Sequence, residues 1–257
     1  MPPVATVDEF RRTVDEFVIE DLALRIDANA MTAARASLDT TGLLLLGEVH
    51  GVRQNPLIVR ALMLALGLNA VALEWPIEVA PTIERFTSGG LLSDHPFLWL
   101  ADGRVTAGHF SVLRERAAAG PLTVILFDAI GRTEPLDGIA RESSWSNRDA
   151  AMASRLLSAP EPAGGLLVVA GNAHTKTEET SLGTPLGARL AQHRPGVRAI
   201  SIDYLSGSYF NLAERRFADR RWRDQATGLR IDDGDLVLTL TSADSAVVLV
   251  AGASDNR

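Results

Sequence analysis

The sequence predicts an α/β fold, with a central, mostly parallel sheet flanked by helices and a C-terminal antiparallel hairpin. Three observations predict it. Leu43–Leu46, Ala70–Leu73, Leu122–Phe127, Leu166–Ala170 and Val197–Ile202 are short apolar runs without regular alternation, as in strands buried on both faces. Helical stretches lie between several of them, as in βα units. Leu236–Leu240 and Ala246–Val250 flank TSADS and read as a hairpin closing one edge.

Residues 7–38 read as two helices, within an N-terminal helical segment spanning 1–40. In the first, from Asp8 to about Ile26, Phe10, Val14, Val18, Leu22 and Ile26 recur four apart, with Phe17 on the same face and Asp8 as the cap. The second covers Asn29 to Leu38. After the first strand, Asn55–Leu66 is apolar on one face through Leu57, Ile58, Leu62, Leu64 and Ala65. Residues 76–118 form a long irregular piece with several prolines and glycines and with Phe97, Trp99 and Phe110. Connections of this length are usually functional or mobile, so 76–118 reads as an insertion covering a ligand pocket, or else as a helical ornament. Arg148–Leu157 and Pro185–His193 are further helices, with Ser146 or Asn147 capping the former. PEPAGG at 160–165 is a loop, because strand-like sequence resumes at once. Residues 214–230 are arginine-rich, but Glu214, Asp219 and Asp224 interleave, which fits a solvated, salt-bridged segment better than an anion site. Residues 1–257 therefore read as a single domain.

Composition narrows the function. The 32 Asp and Glu outnumber the 25 Lys and Arg, against the clustered positive charge of a nucleic-acid surface. The absence of cysteine removes disulfides, thiolate metal sites and cysteine nucleophiles. MPPVATVDEFRR has no apolar signal core, and no apolar run reaches the length of a membrane helix. The expectation is a cytoplasmic protein with a small-molecule substrate, no nucleic-acid or membrane partner, and an oligomeric state left open.

The residues after the apolar runs carry the chemistry. Leu43–Leu46 leads to Glu48 and His50, Val71–Leu73 to Glu74, and Val124–Phe127 to Asp128. Leu167–Ala170 leads to Asn172 and His174, and Ile200–Ile202 to Asp203 and Tyr204. Parallel strands bring such C-terminal residues to one rim, where open sheets bind ligands. Residues two apart in extended chain point the same way, so Glu48 pairs with His50 and Asn172 with His174. Gly47, Gly51, Gly171 and Ala173 leave room for turns or a close ligand. Each group also has a plainer role. Glu74 pairs with an arginine, Asp128 caps a loop or bonds Arg132, and Asp203 and Tyr204 are supporting residues. His193 is a surface residue, and His95 and His109 reach a pocket only if the insertion folds over it. Arg148 reaches the rim as an electrostatic clamp. Two imidazoles and two or three carboxylates suit two chemistries: a carboxylate-oriented histidine activating water, or a divalent metal on nitrogen and oxygen ligands.

These motifs, in this order, resemble the erythromycin esterase/ChaN/Tiki superfamily. LLLLGEVHG resembles its first-strand GExHG signature, and AVALEW its glutamate-bearing second strand. SNRDAAMASRLL resembles its R-[DE]-x-x-M-A helix, and VVAGNAHTKTEETSLGTPLGARLA its late histidine strand and following helix. The likeness spans residues 40–205 and implies an α/β fold with a mostly parallel sheet. Erythromycin esterases hydrolyse macrolide lactones. On that pattern His50 is the base, Glu48 and Glu74 orient it or the water, His174 positions substrate or water, and Arg148 stabilises negative charge. Asp128 and Asn172 join Arg148 as substrate-binding groups. Tiki-type relatives are metal-dependent proteases, which would make His50, Glu48, Glu74 and His174 metal ligands. ChaN-type relatives are lipid-anchored and bind haem; this chain has no lipobox cysteine.

The expected function is hydrolysis of an ester, lactone or related acyl bond in a small molecule by histidine-activated water. No G-x-S-x-G elbow supports a serine nucleophile. The expected cofactor is none or a divalent metal, with haem as the further alternative. The alternatives to the hydrolase are a metal-dependent hydrolase or peptidase and a non-enzymatic haem- or small-ligand-binding protein. His50→Ala and Glu74→Ala are expected to abolish turnover in a folded protein. An unperturbed imidazole would supply neutral His50 near pH 7.

Overall fold

The computed structural model describes residues 3–128, 138–220 and 227–250. Helix α1 spans Val7–Glu16, and Thr6, rather than Asp8, caps it in a reciprocal capping box with Glu9. The helix stops ten residues before Ile26. Leu22, Leu24 and Ile26 are instead half-buried in alternation with exposed neighbours, and residues 25–27 exchange backbone hydrogen bonds with Leu229. A spacing of four is an even number, so it satisfies extended alternation as well as a helix. The available sheet edge decided between them.

Helix α2 (Ala28–Thr41) is capped by Asp27 and ends at Gly42 in the left-handed conformation. The chain then runs β1 (Leu43–Glu48), α3 (Asn55–Leu66), β2 (Ala70–Pro76), α4 (Ala80–Thr87), α5 (Ala107–Ala119), β3 (Thr123–Asp128) and α6 (Gly138–Ser158). It continues through β4 (Leu166–Gly171), α7 (Leu186–His193), β5 (Arg198–Tyr204), β6 (Ser208–Asn211), β7 (Ala213–Arg216), β8 (Gly228–Asp232) and β9 (Asp235–Leu240). Seven strands form one sheet in the order β3-β2-β4-β1-β5-β9-β8. Every pair is parallel except β8–β9. The C-terminal hairpin therefore exists, but its arms are β8 and β9. Ala246–Val250 forms no strand of its own; Leu249 only bridges Val4. Strands β6 and β7 pair separately.

The four leucines of β1 explain why no alternation was visible. Leu44 and Leu46 join the layer containing α2, α3 and α5, while Leu43 and Leu45 join the layer of α6 and α7. All four are buried, each contributing about 1.5–3 kcal/mol relative to exposure. Helix α6 begins at Gly138, so Arg148 lies mid-helix rather than at a start. Ser146 does not cap; its Oγ accepts from Arg189 Nη2 at 2.9 Å. No described helix is long and apolar enough to cross a membrane.

The topology parts the connections around the tip of β4. Strand β4 lies between β1 and β2. The chain leaving β1 and β2 enters the layer of α3 and α5, whereas the chain leaving β4 enters the opposite layer through α7. Connections parting to opposite faces leave a gap at the carboxyl ends of the strands.

Candidate functional site

Gly171 forms the tip of β4, in register with Glu48 on β1. A Cβ there would lie 3.1 Å from His50 Nε2, so the missing side chain gives the imidazole its place. Glu48 follows Leu44 and Leu46 on the α5 side of the sheet, and Glu74 follows Ala70 and Ala72 on the α6 side. His50 spans the two. Its Nδ1 is 3.0 Å from Glu48 Oε1, and its Nε2 is 3.7 Å from Glu74 Oε2.

Glu74 is the hub. Its Oε2 accepts the Gly171 N–H at 2.8 Å. Its Oε1 accepts Arg148 Nη2 at 2.5 Å and stands 3.3 Å from Arg104 Nη1. Asp128, at the tip of β3, receives Arg148 in a two-pronged contact at 2.9 and 2.7 Å and Arg104 Nη1 at 2.7 Å. Fork-to-carboxylate contacts of this kind fix position as well as charge. Asp102 holds the far side of Arg104 at 2.7 Å.

His174 closes the cluster from the turn after β4. Its Nδ1 lies 2.5 Å from Asp149 Oδ1, and its Nε2 lies 3.2 Å from Arg148 Nη1 and 3.5 Å from Glu74 Oε1. An arginine only donates, so the contact with Arg148 makes Nε2 an acceptor and puts the ring hydrogen on Nδ1, toward Asp149. Asp149 Oδ2 also accepts the Leu186 N–H at the start of α7. The Trp145 ring lies against His174 with centroids 4.6 Å apart.

Five of the sequence candidates thus converge with Arg148: Glu48, His50, Glu74, Asp128 and His174. Three strand-end groups do not. Asn172 shares no direction with His174, because the chain turns at Gly171 (the His174 N–H bonds Gly171 O) and strict alternation ends there. Its Oδ1 instead lies against Gly47, beside a cleft of about 400 Å³ that Thr175, Lys176 and Ser201 also line. Asp203 pairs with Arg220. Tyr204 donates to Asn55 Oδ1 at 2.6 Å, and Asn55 Nδ2 donates to Val49 O, which steadies the GEVHG loop. His95 bonds the Phe97 N–H, away from the cluster. Arg132 lies outside the described residues.

Arg104, His109 and Asp149 have roles that strand-end reasoning did not assign. Arg104 belongs to the 76–118 segment, which carries no motif at that point. Its signal was charge balance: two buried carboxylates, Glu74 and Asp128, need more than one cation. His109 enters on α5 and places Nε2 3.9 Å from Glu48 Oε2. Gly51, the last residue of GEVHG, is where these parts lock together. Its N–H bonds Gly103 O, and its carbonyl accepts from Phe210 and Ala246. A Cβ on Gly51 would sit 1.7 Å from Phe210 O, at a φ of +77°. The close approach that the glycine permits is thus backbone against backbone.

The electrostatics follow from burial among charges. For Glu74, burial opposes ionisation, but the positive groups around it, His50, Arg104 and Arg148, outweigh it and hold the carboxyl far below the usual carboxylate range. For His50, burial opposes protonation, yet the Glu48 hydrogen bond and the Glu74 and Glu48 charges prevail, so its pKa is raised. His50 is therefore not the unperturbed imidazole the sequence implied. Burial outweighs the Glu48 charge at His109 and lowers its pKa. Burial also opposes the charge on Arg148, but Asp128 and Glu74 raise its pKa still further.

The cluster does not suit a metal. Both Glu74 oxygens are taken, by Arg148 and the Gly171 N–H. A cation at Glu74 would also face two guanidinium groups. Among the described residues no group of three or more His, Asp or Glu is arranged to hold an ion. The cavity between Glu48, His50, Glu74, Arg104 and His109 measures about 10 Å³, room for about one water.

No protein-family model matches the chain, and no curated protein matches it. Among solved structures it is similar to a succinoglycan biosynthesis protein, with a TM-score of 0.63 and 10% identity over 93% of this chain and 98% of that one. It is similar also to a Bacillus cereus protein, with a TM-score of 0.60 and 9% identity over 95% of this chain and 100% of that one. A structure described as bacterial protein toxins gives a TM-score of 0.48 and 21% identity over 76% of this chain. The chain spans only 39% of that toxin's length. At these identities the likeness shows the fold alone: an α/β domain with a mostly parallel seven-stranded sheet and an antiparallel final pair.

Proposed function

We propose that this chain is a hydrolase of an ester, lactone or related acyl bond in a small molecule, using water activated by His50 without a metal. The GExHG, R-[DE]-x-x-M-A and GNAHT resemblances support a member of the erythromycin esterase/ChaN/Tiki superfamily. The observation that carries the chemistry is the His50 imidazole held between two carboxylates, 3.0 Å from Glu48 and 3.7 Å from Glu74.

Glu48 accepts the Nδ1 hydrogen of His50, which leaves Nε2 as the basic nitrogen. A water hydrogen-bonded to Nε2 gives it a proton while its oxygen bonds the carbonyl carbon. The carbonyl π pair moves onto oxygen and later returns. The carbon–oxygen bond to the leaving alkoxide then breaks, and His50 Nε2–H returns the proton to that alkoxide. Arg148 and Arg104 supply positive potential where negative charge develops. Both are engaged by Glu74 and Asp128, so their first task is to hold Glu74 in place.

The test is hydrolysis of a panel of p-nitrophenyl esters and macrocyclic lactones, followed by acid release. His50→Ala should lose about 10²–10⁴-fold in kcat/KM while keeping its circular dichroism spectrum. Activity should survive thorough chelation. Undiminished turnover by His50→Ala would refute the base assignment, and loss of activity on chelation with recovery on adding metal would refute the metal-free mechanism.

A further inference from the structure

Glu48 uses only one of its oxygens on His50. Oε1 bonds His50 Nδ1, whereas Oε2 is buried and has no hydrogen-bond partner among the described residues. An unpaired buried carboxylate oxygen is costly, so something is expected to meet it. His109 Nε2 stands 3.9 Å away, beyond direct hydrogen-bond reach but within the span of a shared water. The cavity of about 10 Å³ touches both residues, which is room for about one water.

The contacts of His109 also provide for a hydrogen on Nε2. Thr106 Oγ1 accepts the backbone N–H of His109, and the same oxygen lies 2.9 Å from His109 Nδ1. A hydroxyl that accepts from the backbone still has its own hydrogen to give. Given to Nδ1, it leaves the imidazole hydrogen on Nε2, directed at Glu48. Trp75 packs edge-on against the His109 ring at 5.8 Å between centroids and holds its plane.

We propose that His109 is a positioning residue: through one trapped water it satisfies Glu48 Oε2, and so fixes the carboxylate that orients His50. Thr106, His109, the water, Glu48 and His50 form one chain of hydrogen bonds, in which each donor finds an acceptor. It rests on the hydrolase reading only for the purpose it serves. The charged groups around it are Glu48 and His50 at the tip of β1, Glu74 on β2 and Arg104 from the preceding loop. Tyr204 on β5 feels the Glu48 charge.

The test needs no substrate, so its failure is separate from failure of the hydrolase reading. A high-resolution crystal structure of the full chain should show one ordered water between Glu48 Oε2 and His109 Nε2. Imidazole ¹⁵N shifts should show His109 neutral with its hydrogen on Nε2 at pH 7. His109→Gln keeps a donor at that point, whereas His109→Phe removes it. The His50 Nδ1 proton should exchange with solvent at least tenfold faster in His109→Phe and near the wild-type rate in His109→Gln. An empty cavity, a hydrogen on Nδ1 of His109, or equal exchange in both variants would overturn the proposal. Should His109→Phe fail to fold, the wild-type water and tautomer decide the matter alone.

Discussion

Arg148, in the middle of α6, donates to Glu74 at the tip of β2 across 2.5 Å, joining positions 74 residues apart. The same guanidinium holds Asp128 on β3 and touches His174 beyond β4. One side chain thus ties three strand ends together beneath a helix, and it makes catalysis and stability hard to separate here.

Glu74→Ala is therefore a lesion of the fold as well as of the site. It leaves Arg148 and Arg104 without their central anion, and breaking a buried pair from one side costs about 3–5 kcal/mol. We expect a large drop in the urea midpoint. Glu74→Gln, which keeps one acceptor for Arg148, should lose less. Equal stability of Glu74→Ala and wild type would show that the arginines find other partners.

The pH response follows from His50. Because its pKa is raised, the neutral base is populated only above the ordinary imidazole value of about 6.5. The rate should rise with pH through a midpoint above that value. Glu74→Gln removes one of the raising charges and should move the midpoint down. For stability, a raised histidine contributes fully below about pH 6.5 and loses its contribution as pH rises through the folded value. Glu74 acts the other way: its contribution is present above about pH 4.5 and is lost as pH falls. Rate profiles and pH-dependent melts read these effects separately.

Asp149 joins His174 to the start of α7, accepting from both. Asp149→Asn still accepts the Leu186 N–H through its carbonyl, but its amide donates toward Nδ1 and disfavours the native tautomer. Activity should fall about 10–100-fold with little loss of melting temperature. Asp149→Ala should lose both. An Asp149→Asn enzyme with normal turnover would rule out the expected role of His174 in positioning substrate or water.

Gly51→Ala tests the backbone junction. Its left-handed φ alone costs a side chain about 1–3 kcal/mol, and the methyl would collide with Phe210 O. We expect an unstable protein, with hydrogen exchange fastest in 49–53, 101–104 and 208–211. A stable Gly51→Ala protein would mean that this junction yields cheaply.

The sequence by itself determined the sheet. Runs such as Leu43–Leu46 have too little polar surface to face water on either side, so they form strands covered by helices on both faces, and their carboxyl ends carry Glu48, His50, Glu74, Asp128 and His174. Asn55–Leu66 was legible to the residue, because a proline follows Asn55 at its start and Gly67 in the left-handed conformation ends it. Tertiary structure decided the rest. Phe10, Val14, Val18, Leu22 and Ile26 fit two periods at once, and the edge at Leu229 chose the extended one after Glu16. The second hairpin arm was ambiguous, since strand partners are set by the sheet edge and not by spacing alone. Arg104 and His109 reach the site from a segment without a motif, because long-range ion pairing depends on where the chain returns in space. Nor does a local pattern encode that His50 stands between two carboxylates. Its basicity is a sum of charges contributed by β1, β2 and the loop before α5, and only their folded distances fix that sum.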